Sequence, residues 1–259
     1  MNLQLENKTA LVTGSSKGIG FAIARSLAAE GANVIVNGRS ESSAQAAAKK
    51  IGGRARGIAA DVSSADGCAE LVRQLPNIDI LVNNAGIFEP KPFTEIPDAD
   101  WERFFQVNVL SGVRLARAYL PGMLERNWGR IIFISSESGV QIPEEMIHYG
   151  MTKAAELALV NGIAQLTKGK SVTVNAVLPG PTASEGVTDF VGKLAADAKQ
   201  SPAEFEKEFF RTMRPTSLLQ RFAKVEEVAH LVTYLCSPLA SATNGAAMRA
   251  DGGVLRGTV

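Results

Sequence analysis

Histidine and cysteine are scarce in this chain of 259 residues, which contains two of each. Cys68 and Cys236 lie far apart in the sequence, and neither has a second cysteine beside it. Protein metal sites draw their ligands from clusters of such residues at short spacings. The sequence therefore predicts no metal site, and the low cysteine usage is typical of a reducing compartment.

Charge of one sign and long apolar runs are also lacking. The 27 Lys and Arg residues nearly balance the 26 Asp and Glu residues, so no basic surface for nucleic acid or an anionic membrane is expected. No apolar run approaches the roughly 20 residues that span a bilayer. The polar stretch LQLENK after Met1 is unlike a signal peptide. We therefore expect a cytoplasmic protein with no nucleic-acid or membrane partner.

Short β-branched runs alternate with longer, alanine-rich helical stretches along the chain. Apolar strands joined by helices of this length form βαβ units, whose parallel sheet is covered on both faces. We predict a single α/β domain over residues 1–259, built as a Rossmann-like doubly wound parallel sheet with helices on both faces. The predicted strands are residues 9–13, 33–37, 56–60, 78–83, 130–135 and 172–178.

Two segments depart from this alternation. We predict a long helix over residues 139–168, entered through Pro143. We also predict an insertion over residues 181–223, after the sixth strand. Within the insertion, SPAE at 201–204 is a helix-start pattern, with a serine cap, proline at the first helical position and glutamate two residues later. The insertion carries two apolar stripes at helical spacing: Val187, Phe190, Val191 and Leu194, then Phe205, Phe209 and Met213.

A glycine-rich loop, TGSSKGIG at 13–20, follows the first predicted strand. Glycines allow a tight turn and a close approach of the backbone to a pyrophosphate, which the next helix N-terminus then stabilises. The spacing of Gly14, Gly18 and Gly20 differs from the G-x-G-x-x-G fingerprint. Its position at the first strand–helix junction favours a dinucleotide site over an ordinary turn.

The residues after the second strand bear on the choice of cofactor. An acidic residue there would bind a free ribose 2′-hydroxyl, whereas Asn37 and Gly38 are neutral and Arg39 is basic. Lys17 in the glycine loop could approach the same region. Two cations without a carboxylate favour a 2′-phosphate, so we predict NADP(H) over NAD(H). The alternative is that Arg39 is an ordinary solvated surface residue.

Tyr149 and Lys153 are four residues apart, in the segment HYGMTK. On a helix such residues share one face, and an ammonium there could lower the pKa of the phenol. A tyrosine tuned in this way could act as a general acid and base, although a surface pair on any helix has the same spacing.

These motifs together resemble the short-chain dehydrogenase/reductase family over nearly the whole chain. The similarity includes members that reduce 3-oxoacyl groups on acyl carrier protein. Six motifs fall in the family's order: TGSSKGIG, Asp61-Val62 after the third strand, NNAG at 83–86, Asn108, Ser136 with Tyr149 and Lys153, and PGPT at 179–182. Thr152 replaces the serine that the family most often has before the lysine, and the 181–223 insertion falls where substrate-covering segments vary.

The resemblance implies a catalytic role for four residues. Tyr149 would exchange a proton with the substrate oxygen, and Ser136 would hydrogen-bond that oxygen. Lys153 would favour the phenolate and hold the nicotinamide ribose, and Asn108 would position a relay water. Ser135 competes with Ser136 and is set aside by its interval to Tyr149. The implied cofactor-binding residues are Gly14, Ser16, Lys17, Gly18, Ile19, Gly20, Arg39, Asp61, Val62, Asn84, Ala85, Gly86, Tyr149, Lys153, Pro179, Gly180 and Thr182.

The expected activity is an NADP(H)-dependent carbonyl reductase or alcohol dehydrogenase acting on a small molecule. The alternatives are an NAD-dependent dehydrogenase of the same fold and a non-catalytic NADP-binding sensor or scaffold. The apolar stripes, if they are not simply core faces, favour an apolar or amphipathic substrate. Five residues between Ser136 and Tyr149 could line its pocket: Glu137, Gln141, Glu144, Glu145 and Met146.

Two further expectations concern partners, and a third concerns His148. Arg130 and Lys170, at the starts of two strands, could contact an acidic acyl carrier protein, although such residues are usually solvated. The resemblance also implies a homotetramer formed through helices at 98–125 and 143–168 and through the last strand. His148 is expected to be a packing residue or pocket wall and not a second acid.

Overall fold

The fold is built on one parallel sheet. The computed structural model describes residues 2–185 and 200–257, and within them seven parallel strands have the order β3-β2-β1-β4-β5-β6-β7. The order reverses between β1 and β4, which opens a crevice at the carboxyl ends of the strands. The predicted doubly wound, Rossmann-like α/β fold is confirmed. The strands are β1 (Thr9–Val12), β2 (Asn33–Gly38), β3 (Arg56–Ala59), β4 (Ile80–Asn83), β5 (Gly129–Ile134), β6 (Val172–Pro179) and β7 (Ala247–Ala250).

Helices cover both faces of the sheet. One face is packed by α1 (Gly18–Ala29), α2 (Glu41–Ile51) and α8 (Val225–Cys236), and the other by α3 (Ala65–Gln74), α5 (Ser111–Glu125) and α6 (Ile147–Gln165). Every residue of β5 and β6 is buried, because each strand meets helices on both sides. This explains why these strands are continuous apolar runs without alternation. No helix in the described part of the chain is long and apolar enough to cross a membrane.

The helix that carries Tyr149 is shorter than the predicted span of 139–168. Two 3-10 turns, Glu137–Gly139 and Glu144–Met146, precede α6, which ends at Gln165. Pro143 has an extended backbone, with φ −73° and ψ 135°. Proline lacks the N–H that a helix interior needs, and it disfavours helical geometry in the residue before it. The helix therefore begins only after the proline, which leaves Tyr149 in its first turn.

The predicted helix over 98–125 contains an irregular segment. Helix α4 (Asp98–Phe104) continues into a π-helical segment, Phe105–Leu110, and then into α5. Short π-helical segments within α-helices are frequent at functional sites, and this one contains Asn108.

Part of the 181–223 segment is a capped helix. Helix α7 (Pro202–Thr212) begins at the predicted capping box, in which Ser201 and Glu204 bond to each other's backbone N–H. The first apolar stripe of this segment, Val187, Phe190, Val191 and Leu194, lies outside the described residues.

Candidate active site

A cavity of about 430 Å³ lies at the carboxyl ends of the central strands. Residues from distant parts of the chain meet there, because parallel strands deliver their ends to one edge of the sheet. Of the residues predicted from sequence, the cavity is lined by Ile19, Asn84, Gly86, Ser136, Tyr149, Lys153, Pro179, Gly180 and Thr182.

The glycine loop forms a backbone surface that side chains would obstruct. Gly14 and Gly18 have φ of +59° and +61°, a conformation that only glycine adopts without strain. A Cβ on Gly20 would lie 2.4 Å from Nδ2 of Asn84 and 2.8 Å from the Gly14 carbonyl oxygen. The loop leads directly into the N-terminus of α1, where no side chain caps the helix. This arrangement fits the pyrophosphate of a dinucleotide.

The end of β2 contains a buried asparagine, Asn37, and is followed by an exposed arginine, Arg39. Asn37 is buried, and its amide donates to the carbonyl oxygens of Ile58 and Ala60. Arg39 is exposed and makes no hydrogen bond or ion pair with the described residues. Lys17 is also exposed. Arg39 and Lys17 are therefore two solvent-exposed cations beside the glycine loop, while the neutral side chain of Asn37 links β2 to the end of β3.

Asp61 and Val62, the two predicted cofactor-binding residues after β3, differ in their exposure to solvent. Asp61 accepts hydrogen bonds from the backbone N–H and the hydroxyl of Ser63, and Val62 is buried. Asp61 is exposed near the same edge of the sheet as the glycine loop.

Lys153 is almost completely buried and is paired with a carboxylate. Its Nζ donates to the Ile134 carbonyl oxygen at 2.8 Å and to both carboxylate oxygens of Glu156 at 3.1 Å. Its distance to the ring centroid of Tyr149 is 5.8 Å. Burial raises the pKa of Glu156 to about 7, and the adjacent ammonium opposes that rise. Glu156 was not predicted as a site residue, although it lies three residues after Lys153, at a spacing that brings helix side chains together.

Burial dominates the environment of the Tyr149 phenol. It raises the pKa of Tyr149 above its ordinary value, and the neighbouring Ser136 hydroxyl opposes this rise. The negative charges of Glu137 and Glu156 raise the pKa further. The expected lowering by Lys153 does not dominate in this structure, because the ammonium is paired with Glu156 and the phenol is desolvated.

Ser136 begins a buried hydrogen-bond cluster. Its Oγ donates to Oε2 of Glu137 at 2.5 Å and accepts from the Ser138 N–H at 3.1 Å. Glu137 in turn accepts at Oε1 from Nε of Arg214, at 3.1 Å. Nη1 of Arg214 donates to Glu145 at 3.3 Å. Glu137, Glu145 and Met146 line the cavity as the sequence allowed, whereas Gln141 and Glu144 do not.

Asn108 connects the π-helical segment to its neighbours. Its side chain accepts from the Ile87 N–H at 2.8 Å and donates to the Ile87 carbonyl oxygen at 3.0 Å. It also donates to Oγ1 of Thr152 at 2.9 Å. Thr152 thus takes part in a buried bond that links the Asn108 segment to the helix of Tyr149 and Lys153.

Much of the remaining wall of the described cavity is apolar. Phe205, Phe209 and Met213, the second predicted stripe, all line it. Phe88 and Phe222 were not anticipated, and Phe88 meets the Tyr149 ring edge-on at 6.4 Å between centroids.

Comparison with known proteins identifies the family. Residues 8–194 match the family model for short chain dehydrogenases. The chain belongs to the short-chain dehydrogenase family.

Relatives match this short-chain dehydrogenase over almost its full length. It is 49% identical to an uncharacterized oxidoreductase of Bacillus subtilis, YvaG, covering 99% of both chains. It is 35% identical to the 3-oxoacyl-[acyl-carrier-protein] reductase FabG of Aquifex aeolicus, covering 98% of this chain and 100% of the relative. The structure of L-sorbose reductase from Gluconobacter frateurii, complexed with NADPH and L-sorbose, superimposes with a TM-score of 0.93. That match has 32% identity and covers 99% of this chain and 100% of the other. The protein is thus an oxidoreductase of this family.

Three other residues of this short-chain dehydrogenase are explained by packing. His148 is buried against the rings of Trp101 and Phe104, at centroid distances of 5.9 and 4.1 Å. Ser135 donates its hydrogen to the Lys153 carbonyl oxygen. Arg130 is only 1% exposed, so the expectation that it could contact a carrier protein is wrong. Its guanidinium instead donates to the backbone carbonyl oxygens of Gly129, Ser171 and Ser237.

Proposed function

We propose that the protein catalyses reversible, NADP(H)-dependent hydride transfer between nicotinamide and a carbonyl or secondary alcohol. The observation that carries this proposal is the convergence of Ser136, Tyr149 and Lys153 on one cavity beside the glycine loop. A non-catalytic sensor would not need these three side chains together.

Each residue has a role in this reaction. Tyr149 gives its proton to the carbonyl oxygen during reduction and removes the alcohol proton in the reverse direction. Lys153 supplies the positive charge that favours the phenolate. Ser136 provides a hydrogen bond where negative charge develops. A nicotinamide held in this cavity would supply or accept the hydride, so the protein contributes orientation and electrostatics.

A panel of ketones, aldehydes and 3-oxoacyl thioesters, assayed by the absorbance of reduced nicotinamide, tests this proposal. We expect turnover with NADPH that is lost in Tyr149→Phe. Tyr234→Phe is the matched control, because it removes a half-exposed phenol from α8 on the surface. Equal turnover in Tyr149→Phe and wild type would remove Tyr149 from the mechanism. No turnover despite tight NADPH binding would favour the sensor or scaffold alternative.

The preference for NADP(H) rests on Arg39 and Lys17. Both are exposed beside the glycine loop, and the L-sorbose reductase structure contains NADPH. A guanidinium bonded to a 2′-phosphate is worth about 1.5–3 kcal/mol, so Arg39→Asp should lower the NADPH/NADH ratio of kcat/KM roughly 10- to 100-fold. Lys49→Asp makes the same change of charge at the exposed end of α2. An unchanged ratio in Arg39→Asp would favour the NAD-dependent alternative.

The remaining proposals concern assembly, partners and location. Phe105 and Met151, on the helices expected to associate, are partly exposed, which supports a homotetramer. Light scattering showing a monomer would contradict it. With Arg130 buried, an acyl carrier protein partner depends on Lys170 and on the similarity to FabG; a rate that increases on attachment of the substrate to the carrier would support it. A cytoplasmic location stays a prediction, which cell fractionation would test.

A further inference from the structure

The hydroxyl of Ser136 is occupied by its neighbour in this structure. A serine hydroxyl has one hydrogen, and Ser136 donates it to the Glu137 carboxylate. A carboxylate is a stronger acceptor than the neutral oxygen of a ketone. Ser136 can therefore donate to a substrate carbonyl only if its bond to Glu137 is broken.

Glu137 is held so that one oxygen faces Ser136. Arg214 bonds Oε1, while Oε2 accepts from Ser136 and from the N–H and hydroxyl of Ser138, at 2.7 and 2.9 Å. Both partners of the ion pair are largely buried, with the Glu137 side chain 6% and the Arg214 side chain 11% exposed. A buried pair that keeps several hydrogen bonds has a defined orientation.

The charge of this cluster selects against anionic groups. One guanidinium, on Arg214, is shared by two carboxylates, those of Glu137 and Glu145. The only other cation at this end of the described cavity is Lys153, which is paired with Glu156. A carboxylate on the substrate would therefore meet net negative charge, whereas a neutral hydroxyl could donate to Oε2 of Glu137.

We propose that Glu137 binds a hydroxyl on the carbon next to the substrate carbonyl. The substrates of the protein are then α-hydroxy ketones whose other substituent is apolar, or the corresponding vicinal diols in the reverse direction. This inference rests on the proposed function. The substrate hydroxyl replaces Ser136 as a donor to Oε2, and the Ser136 hydrogen turns to the carbonyl oxygen.

The geometry supports this exchange. The Ser136 and Glu137 oxygens are one hydrogen-bond length apart, and the two oxygens of an α-hydroxy ketone can adopt a similar separation. The rest of the described wall, including Phe88, Phe209 and Phe222, suits an aryl or alkyl remainder.

The test compares 2-hydroxyacetophenone with 2-methoxyacetophenone as NADPH-dependent substrates. Both carry an oxygen beside the carbonyl, but only the first has a hydrogen to donate. We expect wild type to favour the hydroxy ketone in kcat/KM by roughly 10- to 100-fold, the range for a hydrogen bond to a charged group. In Glu137→Gln, whose neutral amide accepts more weakly, this ratio should approach one. Glu208→Gln, in the exposed pair with Arg211 on α7, should keep the wild-type ratio.

Several outcomes would overturn the inference. Equal kcat/KM for the two ketones in wild type excludes a hydroxyl donor to Glu137, and this result does not depend on any variant folding. If the preference for the hydroxy ketone persists in Glu137→Gln, a group other than Glu137 binds the hydroxyl. Turnover of simple ketones with neither of these two would refute the substrate class while leaving the proposed reaction intact. No NADPH turnover with any carbonyl would refute both.

Discussion

Glu156→Gln should change how strongly Lys153 acts on Tyr149. Both oxygens of Glu156 lie 3.1 Å from the Lys153 ammonium, and the two side chains are almost inaccessible to solvent. The carboxylate opposes the ammonium and itself raises the pKa of Tyr149. Glutamine has nearly the same shape and removes only the charge.

The distances indicate the size of the effect. A unit charge 5.8 Å from the Tyr149 ring, at an effective dielectric constant of about 20, is worth about 3 kcal/mol, or about two pKa units. The nearby carboxylate cancels part of this interaction in the wild type. Its removal should therefore lower the pKa of Tyr149 by on the order of one unit.

The assay is alcohol oxidation with NADP+ as a function of pH. Oxidation requires the phenolate of Tyr149, so kcat/KM rises as pH passes the pKa of this residue in the free enzyme. We expect the acid limb of the profile to move to lower pH by on the order of one unit in Glu156→Gln. Glu208→Gln removes an exposed carboxylate from a pair with the same spacing, and its profile should match wild type.

Two results would refute this reasoning. An unchanged acid limb in a folded Glu156→Gln protein would mean that Lys153 does not tune Tyr149 through this pair. A limb that moves to higher pH would mean that Glu156 supports the phenolate. Thermal unfolding of each variant separates these outcomes from loss of structure, since breaking a buried ion pair costs about 3–5 kcal/mol.

Three further predictions concern the glycine loop, the Lys153–Glu156 pair and Arg130. Gly20→Ala should weaken dinucleotide binding measured by calorimetry, because its Cβ would displace Asn84, while Gly162→Ala, with open space around it, should keep affinity and stabilise α6 by about 0.5–1 kcal/mol. The folded state raises the pKa of Glu156 to about 7, so its contribution to stability is present below the unfolded value near 4.5 and is lost as pH rises through 7. Urea unfolding should therefore show wild type losing stability relative to Glu156→Gln between these pH values, and parallel curves would contradict it. Arg130→Met should lower the free energy of unfolding by about 3 kcal/mol, because it leaves buried carbonyl oxygens without donors; an unchanged urea midpoint would show that they find other partners.

Six of the seven strands were predictable because each is a short apolar run in a parallel sheet, whereas the partly exposed β7 was not among the strands predicted from the residue pattern. Residues 172–178 were predicted as a strand, and β6 extends from Val172 to Pro179. The helix of Tyr149 was less predictable: it was expected over residues 139–168, but it spans Ile147–Gln165. Pro143 explains why the helix does not begin before it. The exact start at Ile147 depends on the 3-10 turn Glu144–Met146, part of which lines the cavity, and no sequence pattern indicated this turn.

The cavity wall was predictable only in part. Phe205, Phe209 and Met213 were recognised by their helical spacing, and α7 places them at the cavity. Phe88 and Phe222 lie in segments without such periodicity, so no local signal distinguished them from other surface aromatics.

By itself, the sequence determined the alternating fold, the glycine loop and the Tyr149–Lys153 spacing, since these depend on residues close together in the chain. Only the tertiary structure decided the electrostatics of the site. Arg214 reaches Glu137 across 77 residues, and Glu156 acquires its raised pKa from everything that packs around it. Desolvation and long-range pairing depend on the positions of distant segments, which no local pattern of residues contains.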